Sequence, residues 1–141
     1  MLKISLEDIM CEHPITVKED VSVGEVAHLL LRYRINGILI VKKDDKNKLI
    51  GIFTTADLLN LIDKVFSKGV RRADAFKKIS KQLVGKLASK RIVSFQKGVK
   101  LVKAIAVMHK KNVHTIPVFD KDKLVGVVGK HDLINATFHY W

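Results

Sequence analysis

The sequence predicts an α/β (α+β) fold that contains two copies of one β-α-β-β-α unit. The main observation is an internal repeat: KLIGIFTTADLLN at 48–60 aligns with KLVGVVGKHDLIN at 123–135, with six identities in thirteen positions. Upstream, the segments 14–41 and 92–119 share their pattern of apolar and polar residues. Self-similarity at a fixed spacing indicates two similar structural units.

In the first repeat, an extended run at 15–17 precedes an amphipathic helix. Ser22 is placed to cap this helix, and Glu25, three residues later, is placed to complete a capping box. Apolar residues then recur at helical spacing at Val23, Val26, Ala27, Leu30 and Tyr33. These signals predict a helix that begins directly after Ser22.

Two strands joined by a polar turn follow this helix. The runs 38–41 and 49–53 are apolar, and the residues DDKN between them suit a hairpin. A second helix is predicted to begin at Ala56 and to end before Gly69, which is placed as its C′ residue.

The second repeat has the same order of elements. Its predicted strands are 93–95, 116–119 and 124–128, its first helix carries Leu101, Val102, Ile105 and Met108, and its second helix begins near Lys130. Neither unit can cover both faces of a three-stranded sheet by itself. We therefore expect the two units to pack sheet to sheet with pseudo-twofold symmetry and with clefts between them.

The order of these elements predicts that the chain has three parts. Residues 1–62 form the first repeat, 63–83 a basic helical linker with a break at Gly69, and 84–141 the second repeat. The chain closes on an aromatic tail that contains Phe138, Tyr140 and Trp141. We expect this tail to be packed or buried in a dimer. A platform for stacking nucleic-acid bases is not expected, because no repeated pattern of basic residues accompanies its rings.

The composition points to a cytoplasmic protein. The chain has 141 residues, 48% of them apolar, and one cysteine, Cys11, which has no partner for an internal disulfide. No apolar run reaches the roughly 18 residues of a membrane-spanning helix. We expect a domain that buries a full core without disulfides or metal.

The net charge of +12 is distributed unevenly along the chain. Residues 1–62 carry a net charge of −1, residues 63–83 carry +5 and residues 84–141 carry +8. This asymmetry indicates either an anionic partner or a lysine-rich surface that keeps the protein in solution. An RNA or DNA partner would bind through the basic linker and the second half of the chain, with phosphates along the linker cations Lys64, Lys68, Arg71, Arg72, Lys77, Lys78 and Lys81.

The motif GIFTTADL at 51–58 carries the candidate site of the first repeat. A strand that runs into a helix at Thr54 leaves the first N–H groups of that helix available to an anion. Thr54 adds a hydroxyl group, and Asp57 can accept two hydrogen bonds from a vicinal diol. The same Thr-x-x-Asp spacing also suits a helix cap that needs no ligand.

The second copy, GVVGKHDL at 126–133, departs from the first. Gly129 replaces the threonine, so the hydroxyl is lost while the backbone becomes more accessible. Lys130 and His131 lie between Gly129 and Asp132 and can supply positive charge. The second site therefore either binds a ligand with more phosphate or is weak or empty.

The pattern of two Gly-apolar-apolar-x-x-x-Asp motifs, each preceded by a hairpin and an amphipathic helix, resembles the tandem cystathionine-β-synthase (CBS) domain pair, or Bateman module. The resemblance extends over about 6–60 and 84–136. It implies a regulatory module that binds adenosine-containing ligands such as AMP, ADP, ATP, S-adenosylmethionine or NAD derivatives. It also implies a homodimer and an effector protein, whose identity the sequence leaves open.

The resemblance also implies the ligand-binding residues. By position these are Thr16, Ile38, Thr54, Thr55 and Asp57 for one cleft, and Ser94, Ile116, Pro117, Gly129, Lys130, His131 and Asp132 for the other. His114 matches a position that contacts phosphate in some relatives. Leu39 stands where the second repeat has Pro117, so the adenine-facing backbone is expected to differ between the clefts.

An enzyme is not expected. The sequence contains no G-x-S-x-G motif, no Walker loop and no zinc-ligand spacing. Asp57 and Asp132 belong to separate clefts in the predicted geometry and so do not form an acid/base pair. We predict no catalytic residue, no metal site and no resident cofactor.

Overall fold

The computed structural model describes residues 3–69 and 71–139. Its elements, in chain order, are a 3-10 helix at Leu6–Asp8, β1 at Thr16–Lys18, α1 at Val23–Tyr33, β2 at Gly37–Lys42, β3 at Asp45–Thr54, α2 at Thr55–Ser67, α3 at Arg72–Lys81, α4 at Val84–Leu87, β4 at Phe95–Gln96, α5 at Leu101–Lys111, β5 at Thr115–Asp120, β6 at Lys123–Gly129 and α6 at Lys130–His139. Of the predicted aromatic tail, Tyr140 and Trp141 lie outside the described residues.

The predicted β-α-β-β-α order is confirmed in both repeats. Each repeat forms a three-stranded sheet, in the order β1-β2-β3 and β4-β5-β6. In each sheet the first strand runs parallel to the central strand, and the last strand pairs antiparallel to it. The strand predicted at 93–95 forms instead at Phe95–Gln96, and α4 was not predicted.

The chain divides into two compact units whose membership differs from the order of the repeats. The first unit is Ile15–Arg91, and the second unit combines Met1–Pro14 with Ile92–Trp141. The segment before each repeat therefore packs with the other repeat. The boundaries at 62 and 84 divide the chain into repeats and stay a prediction. The compact units are different, because the segment before each repeat packs with the other repeat.

The exchanged segments make equivalent contacts in the two units. In the first unit Ile52 and Ser89 donate N–H groups to each other's carbonyl oxygens at 3.0 and 2.9 Å. In the second unit Cys11 and Val127 do the same at 2.9 and 3.1 Å. Ile52 on β3 and Val127 on β6 occupy aligned positions of the repeat. The exchanged segment therefore pairs with the same edge strand in each unit.

Each unit has its own apolar core. In the first unit the buried residues include Val23, Val26, Leu30, Ile38, Ile40, Phe53, Ala75, Ile79 and Val84. In the second unit they include Leu6, Leu101, Ala104, Met108, Ile116, Val118, Val128 and Leu133. Not every apolar residue at helical spacing is buried: Tyr33 is 52% exposed and Val102 is 41% exposed, whereas Ala104 is buried on α5.

The helix ends follow the predicted local signals. The Oγ of Ser22 accepts the Glu25 N–H at 3.3 Å, although Glu25 does not return a bond to Ser22, so only half of the predicted capping box forms. Gly69 has φ +73° and donates its N–H to the Phe66 carbonyl at 3.0 Å. It therefore serves as the predicted C′ residue of α2.

The linker is helical and belongs to the first unit. Its helix α3 buries Ala75 and Ile79 against α1 and α2. A Cβ atom at Gly24 would lie 2.9 Å from the Ser80 Cβ, so a glycine is required where α3 approaches α1. Other apolar linker residues stay outside this contact, since Phe66 is 49% exposed and Phe76 is 70% exposed.

Candidate functional site

The first candidate site lies where β3 ends and α2 begins. Thr54 is the N-cap residue of α2 and has extended backbone. Its N–H donates to Asp57 Oδ2 at 2.9 Å, and the Asp57 N–H donates to Thr54 Oγ1 at 3.1 Å. The two residues thus form a reciprocal capping box, which is the ligand-independent role that the sequence left open.

The cap occupies only part of the Asp57 carboxylate. Oδ2 accepts the Thr54 N–H, whereas no hydrogen bond to Oδ1 occurs within the described part of the chain. An ionised carboxylate offers about four acceptor positions on its two oxygens. Capping and acceptance of a further hydrogen bond are therefore compatible at Asp57.

Strand alternation decides which predicted residues share a face with this cap. Thr16 pairs with Leu39, Leu39 pairs with Ile52, and Thr54 pairs with Gly37. Paired residues, and residues two apart, point to the same face of a sheet. Thr16, Leu39 and Thr54 therefore lie on one face of the first sheet.

Ile38 and Ile116, which the resemblance places among the ligand-binding residues, lie in the two apolar cores. Both are 0% exposed and belong to the buried clusters of their units. Their side chains are not accessible to a ligand, which leaves only the backbone for such a contact. Pro117 and Leu39, one position further along, point to the opposite face of their sheets.

The second candidate site repeats the cap with one bond missing. The Gly129 N–H donates to Asp132 Oδ2 at 2.7 Å. Because Gly129 has no hydroxyl, the Asp132 N–H lacks the side-chain acceptor that Thr54 supplies to Asp57. A Cβ atom at Gly129 would lie 3.4 Å from Asp132 Oδ2 and 3.7 Å from the His114 carbonyl, so a larger residue fits there.

The remaining predicted residues of the second unit are divided between two cavities. Asp132 lines a cavity of about 200 Å³ together with Ile9, Asn135, Ala136 and His139. His114 and Lys130 line a larger cavity of about 370 Å³ between α5 and α6, whose other walls include Met108, Val113, Leu133 and Phe138. His131 and Ser94 are exposed on the surface.

The structure also identifies a position that the sequence analysis missed. The His114 carbonyl accepts the Lys130 N–H at 3.0 Å, and the Asn36 carbonyl accepts the Thr55 N–H at 2.8 Å. Asn36 is thus the counterpart of His114 in the first unit. The alignment of the repeats would have indicated it.

Within residues 3–69 and 71–139, no three His, Cys, Asp or Glu side chains come together as metal ligands. In the same ranges, no helix has both the length and the apolar character to span a bilayer.

The fold and the paired caps define a tandem pair of CBS domains. The CBS domain family model matches residues 6–64 and 84–139, and the chain belongs to this family. Among curated relatives, an inosine-5'-monophosphate dehydrogenase of Aquifex aeolicus is 27% identical over 129 residues, which is 91% of this chain. The chain spans 23% of the length of that relative.

Solved structures share the fold over nearly the whole chain. The CBSX2 structure in complex with AMP matches with a TM-score of 0.77 at 21% identity, covering 96% of this chain and 97% of that one. The CBS domain pair of protein MJ0100, in complex with 5'-methylthioadenosine and S-adenosyl-L-methionine, matches with a TM-score of 0.74 at 24% identity, covering 98% of each chain.

Proposed function

We propose that this chain is a regulatory module that binds adenosine-containing ligands, with one site centred on Asp57 and a second on Asp132. One observation carries this proposal: each carboxylate is fixed through Oδ2 to the start of its helix and keeps Oδ1 available for a sugar hydroxyl. Two proteins of the same fold are described with AMP, or with 5'-methylthioadenosine and S-adenosyl-L-methionine.

In the first site, Thr54, Thr55 and Thr16 supply hydroxyl groups near Asp57. Thr16 and Thr54 lie on the same face of the sheet, as strand pairing requires. This set suits a ribose and at most a short phosphate chain, because it contains no cation. AMP and S-adenosylmethionine are the ligands we assign to it.

At the second site, Gly129 and the adjacent Lys130 and His131 favour a ligand with more phosphate, although Lys130 and His114 line a different cavity from Asp132. The Asp132 N–H lacks a side-chain acceptor at Gly129, and it lies at the start of α6, where the positive end of the helix dipole attracts anions. The Lys130 N–H donates to the His114 carbonyl oxygen at 3.0 Å, so the backbones of these two residues lie next to each other. ADP or ATP is the ligand we assign to it.

The output of the module is a change of shape or assembly that an effector protein detects. A ligand shifts an equilibrium only by its differential affinity for the two states. The proposal assigns no catalytic step, because the two carboxylates belong to different units and each already serves as a helix cap.

We also propose that the module self-associates with a second copy through its helical faces. Leu59 on α2 and Ile134 on α6 occupy aligned positions and are 68% and 49% exposed. Leu31, on α1, is 73% exposed. Large apolar side chains repeated at equivalent positions fit a self-complementary interface between two copies.

A thermal-shift panel tests the ligand proposal. AMP, ADP, ATP, S-adenosylmethionine and NAD are added separately to the wild-type chain and to two variants, Asp57→Asn and Asp132→Asn. An asparagine can still accept the capping N–H through its amide oxygen, so these variants separate ligand binding from capping. A ligand at 100 times its dissociation constant adds about 2.7 kcal/mol, which is a rise of roughly 5–10 °C.

The expected result is a shift with at least one ligand that Asp57→Asn or Asp132→Asn abolishes. No shift with any of the five ligands, or a shift that both variants retain in full, would reject the proposal.

A further inference from the structure

The strongest unexplained feature outside the candidate sites is a basic and aromatic surface on the first unit. It consists of the end of α2 and the outer side of α3, and we name it the α3 surface. Its members are Phe66, Lys68, Arg71, Arg72, Phe76 and Lys77, all of which are exposed. The ligand sites proposed above use none of these residues.

The charges of the α3 surface are not balanced by acidic residues within 3–69 and 71–139. In the described residues, the only ion pair of this surface joins Arg71 Nε to Asp74 Oδ2 at 3.5 Å. Both side chains of that pair are largely exposed, at 89% and 62%, so the pair contributes little to stability. Lys68, Arg72 and Lys77 have no acidic partner in that part of the chain.

The position of two of these cations opposes helix stability. Arg71 is the N-cap residue of α3 and makes no side-chain capping bond, and Arg72 is the first helical residue. The N-terminus of a helix is the positive end of its dipole, where cations are unfavourable. By contrast, the helix dipole accounts for Lys64, Lys78 and Lys81, which lie in the last turns of α2 and α3.

An exposed aromatic ring lies within this basic surface. Phe76 is 70% exposed and is four residues from Arg72, so the two side chains are neighbours on α3. Lys77 follows directly. Phe66, in the last turn of α2, is 49% exposed. Proteins that bind single-stranded nucleic acid combine an exposed aromatic ring, on which an unpaired base stacks, with nearby cations that contact phosphates.

A lipid surface fits this region less well. A helix that lies on a membrane presents a broad apolar face. The apolar pair of α3, Ala75 and Ile79, is already buried inside the first unit. Among the described residues of the α3 surface, the exposed apolar side chains are the two phenylalanine rings, Phe66 and Phe76. A nucleic-acid duplex is also a weaker fit, because its bases are stacked on one another and cannot stack on Phe76.

We propose that the α3 surface binds single-stranded nucleic acid, with Phe76 stacking on a base and Lys68, Arg71, Arg72 and Lys77 contacting phosphates. RNA and DNA share the chemistry that this surface recognises. The binding is independent of the adenosine sites, since Asp57 and Asp132 take no part in it.

Fluorescence anisotropy with labelled oligouridylate and oligothymidylate of about 15 nucleotides tests the proposal. These probes contain no adenine and so do not report on the adenosine sites. We expect both to bind, with a slope of log affinity against log salt of about −3 for four phosphate contacts. Arg72→Ala with Lys77→Ala should weaken binding and make this slope shallower. Lys103→Ala, which removes one exposed cation from α5, is the control that should leave both unchanged.

The aromatic contact has its own variants. Phe76→Ala and Phe76→Leu should each lower affinity roughly five- to hundredfold, whereas Phe76→Trp retains it. Thermal unfolding verifies that each variant is folded, which the exposure of Phe76 favours. Full binding by Phe76→Leu would overturn the stacking contact. Equal binding of duplex RNA or of phosphatidylserine vesicles would overturn the choice of partner.

A final comparison separates this proposal from the adenosine proposal. Asp57→Asn should leave oligonucleotide affinity unchanged. Absence of oligonucleotide binding in a chain that still responds to an adenosine ligand would reject the α3 surface alone.

Discussion

Asp132 accepts the backbone N–H of Gly129 at 2.7 Å, although Gly129 has no side chain to return the bond. The equivalent pair of the first unit, Thr54 and Asp57, exchanges two hydrogen bonds. The two units thus keep the same carboxylate in the same position while differing in one hydroxyl group. This difference is the structural basis for expecting unlike ligands at the two sites.

Replacing Gly129 by threonine should restore the missing half of the cap. A Cβ atom fits at this position, and the glycine does not have positive φ. We expect a gain of roughly 0.4–1 kcal/mol in the free energy of unfolding, mainly from the lower entropy of the unfolded chain. Urea unfolding measures it. A loss of stability would show that the start of α6 needs the bare backbone.

The control for this substitution is Gly98→Thr. Gly98 has open space around a Cβ atom and no cap to complete. If the ligand assignment is correct, Gly129→Thr should also weaken the preference of the second site for ADP or ATP over AMP.

Replacing Thr54 by valine should weaken the first cap while it keeps the shape of the side chain. The Asp57 N–H then loses its acceptor at 3.1 Å. We expect a loss of about 1 kcal/mol in the free energy of unfolding, which is typical for an N-cap residue. Thr54→Ser keeps the hydroxyl and should remain within a few tenths of the wild type. Equal destabilisation by both variants would argue against the cap.

Gly51 and Gly126, which open the two repeated motifs, should tolerate no side chain. A Cβ atom at Gly51 would lie 2.7 Å from the Ser89 carbonyl oxygen, and one at Gly126 would lie 2.8 Å from the Cys11 carbonyl oxygen. We expect Gly51→Ala and Gly126→Ala each to cost about 1–3 kcal/mol, since the paired backbone must shift. Gly98→Ala is the matched control, and thermal unfolding is the measurement. Wild-type stability in both variants would contradict the observed pairing of the exchanged segments.

Charges placed on the exposed helical faces should disrupt self-association. Leu59→Glu and Ile134→Glu each put a carboxylate where an apolar side chain is 68% or 49% exposed. We expect a shift from dimer to monomer in light scattering coupled to size exclusion, because burial of an unpaired charge is costly. Lys103→Glu introduces the same group on an exposed face of α5 and should leave the mass unchanged. A monomeric wild type would reject the interface.

The sequence by itself determined the repeat, the order of strands and helices in each unit, and the caps. These features depend on local patterns: apolar residues at a spacing of two or of three to four, a threonine three residues before an aspartate, and a glycine after a helix. Thr54 with Asp57, and Gly69 after α2, are therefore found where the sequence predicts them.

Only the tertiary structure decided which segments pack together and which side chains remain accessible. Residues 5–11 pack with the second repeat and residues 83–89 with the first, and this exchange explains the glycines that open both motifs. Ile38 lies in the core, whereas Phe76 lies outside it. The physical reason is that burial and backbone pairing over long sequence separations depend on contacts between segments, which no local spacing records.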